Sequence, residues 1–189
     1  MKRTCSLSDV TKRYLDEFYH ILDEMVEGMT KVELTDSISY NFIIQMIPHH
    51  KAAIDMSRNI LQYTTNLPLQ DIASNIITEQ TKSIENMLEI ECNCRKCGNS
   101  RQDVSRYQYK VSQIMQVMFH DMENACVNNE VNENFMREMI PHHRGAVEMS
   151  ENALRYDICP ELRPVLEAII TSQRKGIIQM EELLKYISA

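Results

Sequence analysis

The pentapeptide Met-Ile-Pro-His-His occurs twice in this chain, at 46–50 and at 139–143, so the two copies lie 93 residues apart. The match extends well beyond it. Sliding the sequence by 93 sets Tyr14 on Tyr107, Met25 on Met118, Met29 on Met122, Asn41 on Asn134 and Phe42 on Phe135. It also sets Ala53 on Ala146, Met56 on Met149, Asn59 on Asn152, Gln80 on Gln173, Ile84 on Ile177 and Met87 on Met180, with no insertion or deletion. A chain of 189 residues that repeats itself in this way reads as two tandem copies of one small structure. The expected units are 1–95 and 96–189. They are expected to fuse into one bundle with approximate two-fold symmetry, because a lone unit of ~90 residues buries a smaller share of its surface.

Each copy reads as three helices. Leu15, Phe18, Leu22, Met25 and Met29 recur at three- and four-residue steps and mark a helix from Ser8 to Met29. The second helix starts at an N-capping Asp36 or Ser37 and runs to Tyr63. The third starts at Pro68, which suits a first turn, and carries Ile72, Ile76, Ile84 and Met87 to Glu91. The second copy repeats this over 101–127, 130–156 and 161–187. Gly (4) and Pro (5) are scarce and Trp is absent, which fits long helices with short connections and antiparallel neighbours. The expected fold is all-α.

Pro48 and Pro141 fall inside the second helix of each copy. Each removes a backbone donor, which frees the carbonyls of Ile44 and Arg137. Either a kink that follows the core or a helix restart that presents the histidines would account for them.

Four of the six histidines sit in the two pairs, His49-His50 and His142-His143. Successive helical residues point about 100° apart, so the two rings of a pair cannot aim at one point. Met46 projects between them, and Met56 lies almost along the axis from His49. The first helix adds Met25 and Met29, and the third adds Met87. The corresponding set in the second copy is Met118, Met122, Met139, His142, His143, Met149 and Met180. Thioether and imidazole together suit Cu(I), whereas zinc prefers thiolate, imidazole and carboxylate. Methionine at helical spacing also fills cores. Five methionine positions nevertheless recur at the same offset, while neighbours exchange, as in Leu22/Met115 and Ile43/Met136. Each histidine ligand also needs its second nitrogen oriented, by the freed carbonyls or by Gln80 and Gln173.

A second candidate site is Cys92-Asn93-Cys94-Arg95-Lys96-Cys97-Gly98 at the junction of the copies. Its three thiols could hold zinc or Cu(I), with Cys5, Cys126 or Cys159 as a fourth ligand, or could be a thiol-rich linker.

The remaining features exclude more than they assign. A net charge of −7 argues against nucleic acid. No run approaches the ~18 apolar residues of a membrane span. The start, Met1-Lys2-Arg3-Thr4, has no apolar stretch behind it, so a cytoplasmic location with reduced thiols is expected, or export if a leader was trimmed. Glu17-Phe18-Tyr19-His20 has the spacing of a di-iron ligand pair, but Lys110 and Gln113 stand at its counterpart positions. Neither a phosphate loop nor a nucleophile with its base is found, so no catalytic residue and no enzymatic activity are expected.

The run Asn41-Phe42-x3-Met46-Ile47-Pro48-His49-His50-x2-Ala53-Ile54-x-Met56, with Gln80-x3-Ile84-x2-Met87, resembles the family called domain of unknown function 305. So does Phe135-x3-Met139-Ile140-Pro141-His142-His143-x2-Ala146-Val147-x-Met149 with Gln173-x3-Ile177-x2-Met180. The resemblance implies a ferritin-like helical bundle and a link with copper binding and tolerance. Its ligand candidates carry over to Met46, His49, His50, Met56 and Met87 and their second-copy equivalents. Family members usually carry a glutamate three residues after the third-helix glutamine, where this chain has Ser83 and Gly176. Many are exported.

The expectation is therefore a non-enzymatic protein that binds copper ion, as Cu(I), at one Met/His site per copy, with zinc ion or Cu(I) at the cysteines. Metal ions are the expected partners, and homo-oligomer formation is left open. The alternatives are a helical interaction scaffold with no metal at the histidines and a ferritin-like oxidoreductase.

Overall fold

Six α-helices carry the computed structural model, which describes residues 6–188. They are α1 (Asp9–Thr30), α2 (Ile38–Leu61), α3 (Leu67–Cys94), α4 (Arg101–Glu123), α5 (Val131–Ala153) and α6 (Leu162–Ile187). No strand occurs among the described residues, and the fold is all-α. Cys5, one of the candidate fourth ligands, lies outside them.

Short polar side chains set four of the six helix starts. Ser8 accepts from the Thr11 N–H at 3.1 Å, Ser37 from Tyr40 at 3.2 Å, Asn66 from Leu69 at 3.0 Å and Ser100 from Asp103 at 3.1 Å. The loops before α2 and α5 are clamped by an asparagine inside the following helix. Asn41 bonds both backbone groups of Thr35, at 2.8 and 2.9 Å, and Asn134 does the same to Asn128 at 3.0 and 2.8 Å. Asn59 donates to the Tyr14 carbonyl at 3.0 Å and Asn152 to the Tyr107 carbonyl at 3.3 Å, which ties α1 to α2 and α4 to α5. These bonds explain why asparagine stands at both members of each pair.

The helices α2, α3, α5 and α6 form a ring of four. In it α2 packs on α3, α5 on α6, α2 on α5 and α3 on α6. α1 lies against α2, and α4 against α5. The innermost pair is α2 and α5, and it carries the histidines. Contacts also cross between the first three helices and the last three, as where Tyr14 of α1 donates to Glu138 of α5 at 2.6 Å. A shared core follows.

α2 and α5 run unbroken through Pro48 and Pro141, so the helix restart considered above does not occur. α1 likewise continues past Gly28. A Cβ there would fall 2.8 Å from the Pro48 Cβ, so this glycine lets α1 close on α2 at the proline. α3 runs three residues beyond the expected Glu91, to Cys94, and α4 stops at Glu123, short of residue 127. The first difference decides the fate of the cysteine cluster.

Candidate metal centre

His49 and His142 meet where α2 crosses α5. Their rings stack with centroids 3.7 Å apart and planes inclined by 28°. His49 Nε2 lies 3.2 Å from the His142 carbonyl, and His142 Nε2 lies 3.1 Å from the His49 carbonyl. A carbonyl only accepts, so in each ring Nε2 carries the hydrogen and Nδ1 is left as a bare lone pair. Both Nδ1 atoms are buried and have no hydrogen-bond partner.

His50 and His143 flank the stack, each with its ring centroid 5.8 Å from that of its chain neighbour. His50 Nε2 pairs with Ser83 Oγ on α3 at 3.0 Å. His143 meets Gly176 on α6 instead, where an added Cβ would fall 2.9 Å from its Cδ2 and 3.0 Å from its Nε2. Nδ1 of both rings is again buried and unpartnered. The four imidazoles thus form one cluster at the centre of the molecule, not a separate pair in each half.

The cluster is neutral at physiological pH. Burial holds His49 well below the usual histidine range, and the neighbouring His142, His50 and His143 rings push it further down. Burial, then the charge His142 would carry, lowers His50 to about 3. Burial brings His142 to about 4 against the opposing hydrogen bond that it donates to the His49 carbonyl, and it depresses His143 strongly. Neutral imidazole is the form that binds a metal.

The methionines divide by position. All ten candidates (Met25, Met29, Met46, Met56, Met87, Met118, Met122, Met139, Met149 and Met180) are buried, but so are Met115 and Met136, whose counterparts are Leu22 and Ile43. Burial alone therefore does not mark a ligand. Register says more. α2 and α3 run antiparallel with His50 beside Ser83, which sets Met46, one turn back, opposite Met87, one turn on. The His143–Gly176 contact sets Met139 opposite Met180 in the same way. Met56 and Met149 share a face with His49 and His142 but stand seven residues away, about 10 Å along the axis. Met118 fills the slot left by the missing side chain of Gly145. Met25 lines the α1–α2 seam with Pro48 and Ala52. Met29 lends its carbonyl to Gln45, and Met122 sits in the last turn of α4.

The expected orienting partners of the histidines differ from those found. The carbonyls of His49 and His142 and the Ser83 hydroxyl take that role. Gln80 and Gln173 are buried, with unpartnered polar atoms. Together with His143 and Gly176 they line a cavity of about 20 Å³ between α3 and α6. That is room for a single water-sized guest. A wider groove of about 710 Å³ on the same seam reaches Ser83 from outside.

The three cysteines at the junction do not form a knuckle, because α3 continues through Cys92 to Cys94 and Cys97 lies beyond its end. Residues two apart on a helix point about 200° apart; accordingly Cys92 is exposed, Cys94 buried and Cys97 half-buried. Among the described residues, no three or more His, Cys, Asp and Glu side chains are grouped so as to hold a metal. Any metal at the centre would therefore draw on thioether as well as imidazole. The Glu17–His20 pair lies on the outer face of α1, with His20 facing Glu24 at 3.5 Å.

A buried pair that sequence reasoning passed over is Tyr14 with Glu138. Burial raises Glu138 to about 8 against the Tyr14 hydrogen bond, and burial, then Glu138, raises Tyr14. The counterparts of Tyr14 and Glu138 are Tyr107 and Gln45, and the Tyr107 hydroxyl has no partner. A glutamate facing a glutamine in the repeat was the available signal.

A family model described as "Domain of unknown function (DUF305)" matches residues 39–184, which include both Met-Ile-Pro-His-His copies. The chain belongs to the DUF305 family. Two solved structures are similar to this DUF305 chain. "CopM in the Ag-bound form" is 28% identical, with a TM-score of 0.59, and the alignment covers 82% of this chain and 98% of that one. A DUF305 fragment from Deinococcus radiodurans is 22% identical, with a TM-score of 0.57, and the alignment covers 79% of this chain and 96% of that one. The latter supports the fold alone. No curated protein matches. No helix among the described residues is long and apolar enough to cross a membrane.

Proposed function

We propose that this DUF305 chain is a non-enzymatic binder of a soft monovalent cation, Cu(I), at the central histidine cluster, serving in buffering or transfer. The observation that carries the reading is the set of four buried Nδ1 atoms without partners. An unsatisfied buried polar atom costs about 1–3 kcal/mol, so four in one histidine cluster are hard to explain as core and natural as ligands. The thioethers adjoining them, Met46 with Met87 and Met139 with Met180, supply soft donors. The similarity to CopM, whose structure holds Ag, supports the same choice, because Ag(I) and Cu(I) favour the same donors. In this reading residues 1–95 and 96–189 are duplicated three-helix units of one ferritin-like bundle, joined across α2–α5 and α3–α6.

A competition titration of the purified chain against a Cu(I) chelator tests this. Affinity should fall at least tenfold in the His49→Ala/His142→Ala double variant, with circular dichroism reporting the retained helices. Unchanged affinity would remove these rings from the account. The scaffold reading draws on a separate observation, that Met115 and Met136 are buried in the same core as the recurring methionines. It requires no Cu(I) binding by the wild-type chain.

A further inference from the structure

Gln80 and Gln173 stand 93 residues apart, as His49 and His142 do, and they meet in one cavity between α3 and α6. They are 2% and 3% exposed, and Gln80 Oε1, Gln80 Nε2 and Gln173 Oε1 have no hydrogen-bond partner. Three bare amide atoms around room for one water-sized guest make a polar site, not packing. Orienting the histidines does not explain them, since the rings take their partners elsewhere.

The cavity joins the surface to the cluster. Exposed Asn75, Glu79 and Lys175 line it together with buried His143. Glu79 and Ser172 also line the groove of about 710 Å³, so groove and cavity adjoin along the seam. The two flanks of the cluster are closed differently. On α3 the Ser83 hydroxyl covers His50 Nε2 at 3.0 Å. At the matching position on α6, Gly176 has no side chain, and the Cδ2–Nε2 edge of His143 lies against it beside the cavity.

We propose that the α3–α6 seam is the port through which a single bare monovalent cation reaches and leaves the cluster, by way of the groove, the carbonyls of Gln80 and Gln173, and His143. The port presupposes the cation site described above. A cavity of about 20 Å³ admits one water-sized guest, so a hydrated or thiol-bound cation must shed its companions in the groove. Burying an ion without its water is costly, and the cost rises steeply with charge, which favours a monovalent one. Neutral carbonyl oxygens can replace the lost water on the way in. Glu79 offers its carboxylate where groove meets cavity, while Lys82 and Lys175 are exposed and their charges are screened. In the metal-free chain water, which both donates and accepts, satisfies the three amide atoms.

The test follows Cu(I) on the full chain in both directions, as uptake from a weak chelator and release to an excess of a strong, chromophoric one. The phase that belongs to the cluster is the one missing from the His49→Ala/His142→Ala variant, which separates it from cation held by thiols. A port alters the barrier and not the bound state, so both rates change together. Ser172→Phe, which fills the junction of groove and cavity, should slow uptake and release in that phase by about tenfold or more and leave the equilibrium competition as in wild type. Gly176→Ser, which copies Ser83, should slow both rates as well, with circular dichroism reporting the fold of each variant. In the metal-free chain the Gln80 side-chain amide should show NMR cross-peaks to water. Wild-type rates in either folded variant, slower uptake with unchanged release, or a Gln80 amide without water contact would overturn the port and leave the cation site standing. A wild-type chain that binds no Cu(I) would overturn both.

Discussion

His49 and His142 are bound to each other twice over, each ring Nε2 donating to the other's backbone carbonyl across a 3.7 Å stack. Because the two bonds form one unit, the energies of the two side chains should not add. Replacing either by Ala removes one bond and the stack; replacing the second then removes only what is left. Urea denaturation of the metal-free single and double variants should give a coupling energy between about 0.5 and 3 kcal/mol. Additive costs would show that the rings act independently.

The thioethers can be separated from the core they fill. Leu in place of Met46 and Met87 nearly conserves volume, so each change should cost less than about 1.5 kcal/mol. Loss of the sulfurs should nonetheless weaken Cu(I) binding at least tenfold. Met115→Leu and Met136→Ile, which copy their counterparts Leu22 and Ile43, should leave affinity within about twofold of wild type. Equal effects of the two sets would reduce the methionines to packing.

The all-α fold was written plainly in the helical periodicity. The convergence of all four histidines was not, because repeats specify each copy while the crossing of α2 on α5 depends on packing between copies. Periodicity put Met56 on the face of His49 but says nothing of the 10 Å between them along the axis. The cysteine run suggested a loop motif by spacing alone; α3 runs through Cys92 to Cys94, which leaves Cys92 exposed and turns Cys94 inward.

Ser83 and Gly176 occupy matching positions yet treat their histidines differently. Ser83→Ala should remove the His50 hydrogen bond and cost about 1 kcal/mol. Gly176→Ala should press a methyl on His143, 2.9 Å from Cδ2, and cost about 1–3 kcal/mol despite the higher helix propensity of alanine. Chemical denaturation of both variants checks this. A stabilised Gly176→Ala would mean that the ring moves freely.

The metal-free chain should be most stable near pH 6.5. The buried histidines stay neutral in the fold, with His142 titrating at about 4 and His50 at about 3, while the unfolded chain binds protons below about 6.5. Acidification therefore favours unfolding. Glu138 acts in the opposite direction: raised to about 8, it keeps a proton that the unfolded chain releases above about 4.3, and its contribution is lost as pH rises towards 8. The alkaline limb should fall by up to about 1.4 kcal/mol per pH unit. Glu138→Gln, which copies Gln45, should flatten that limb and steepen the acid limb between about pH 4.3 and 6.5, where Glu138 opposes the histidines. Thermal melts across pH 4–9 read both.

The central claim is that the unpartnered Nδ1 atoms are where the soft cation binds. Long-range ¹H–¹⁵N correlation spectra of the imidazoles, recorded during titration with Ag(I), test it most directly. The account predicts that Nδ1 resonances of the buried histidines shift while Nε2 of His49 and His142 stays protonated. Shifts confined to Nε2, or to the exposed His20 and His120, would contradict it.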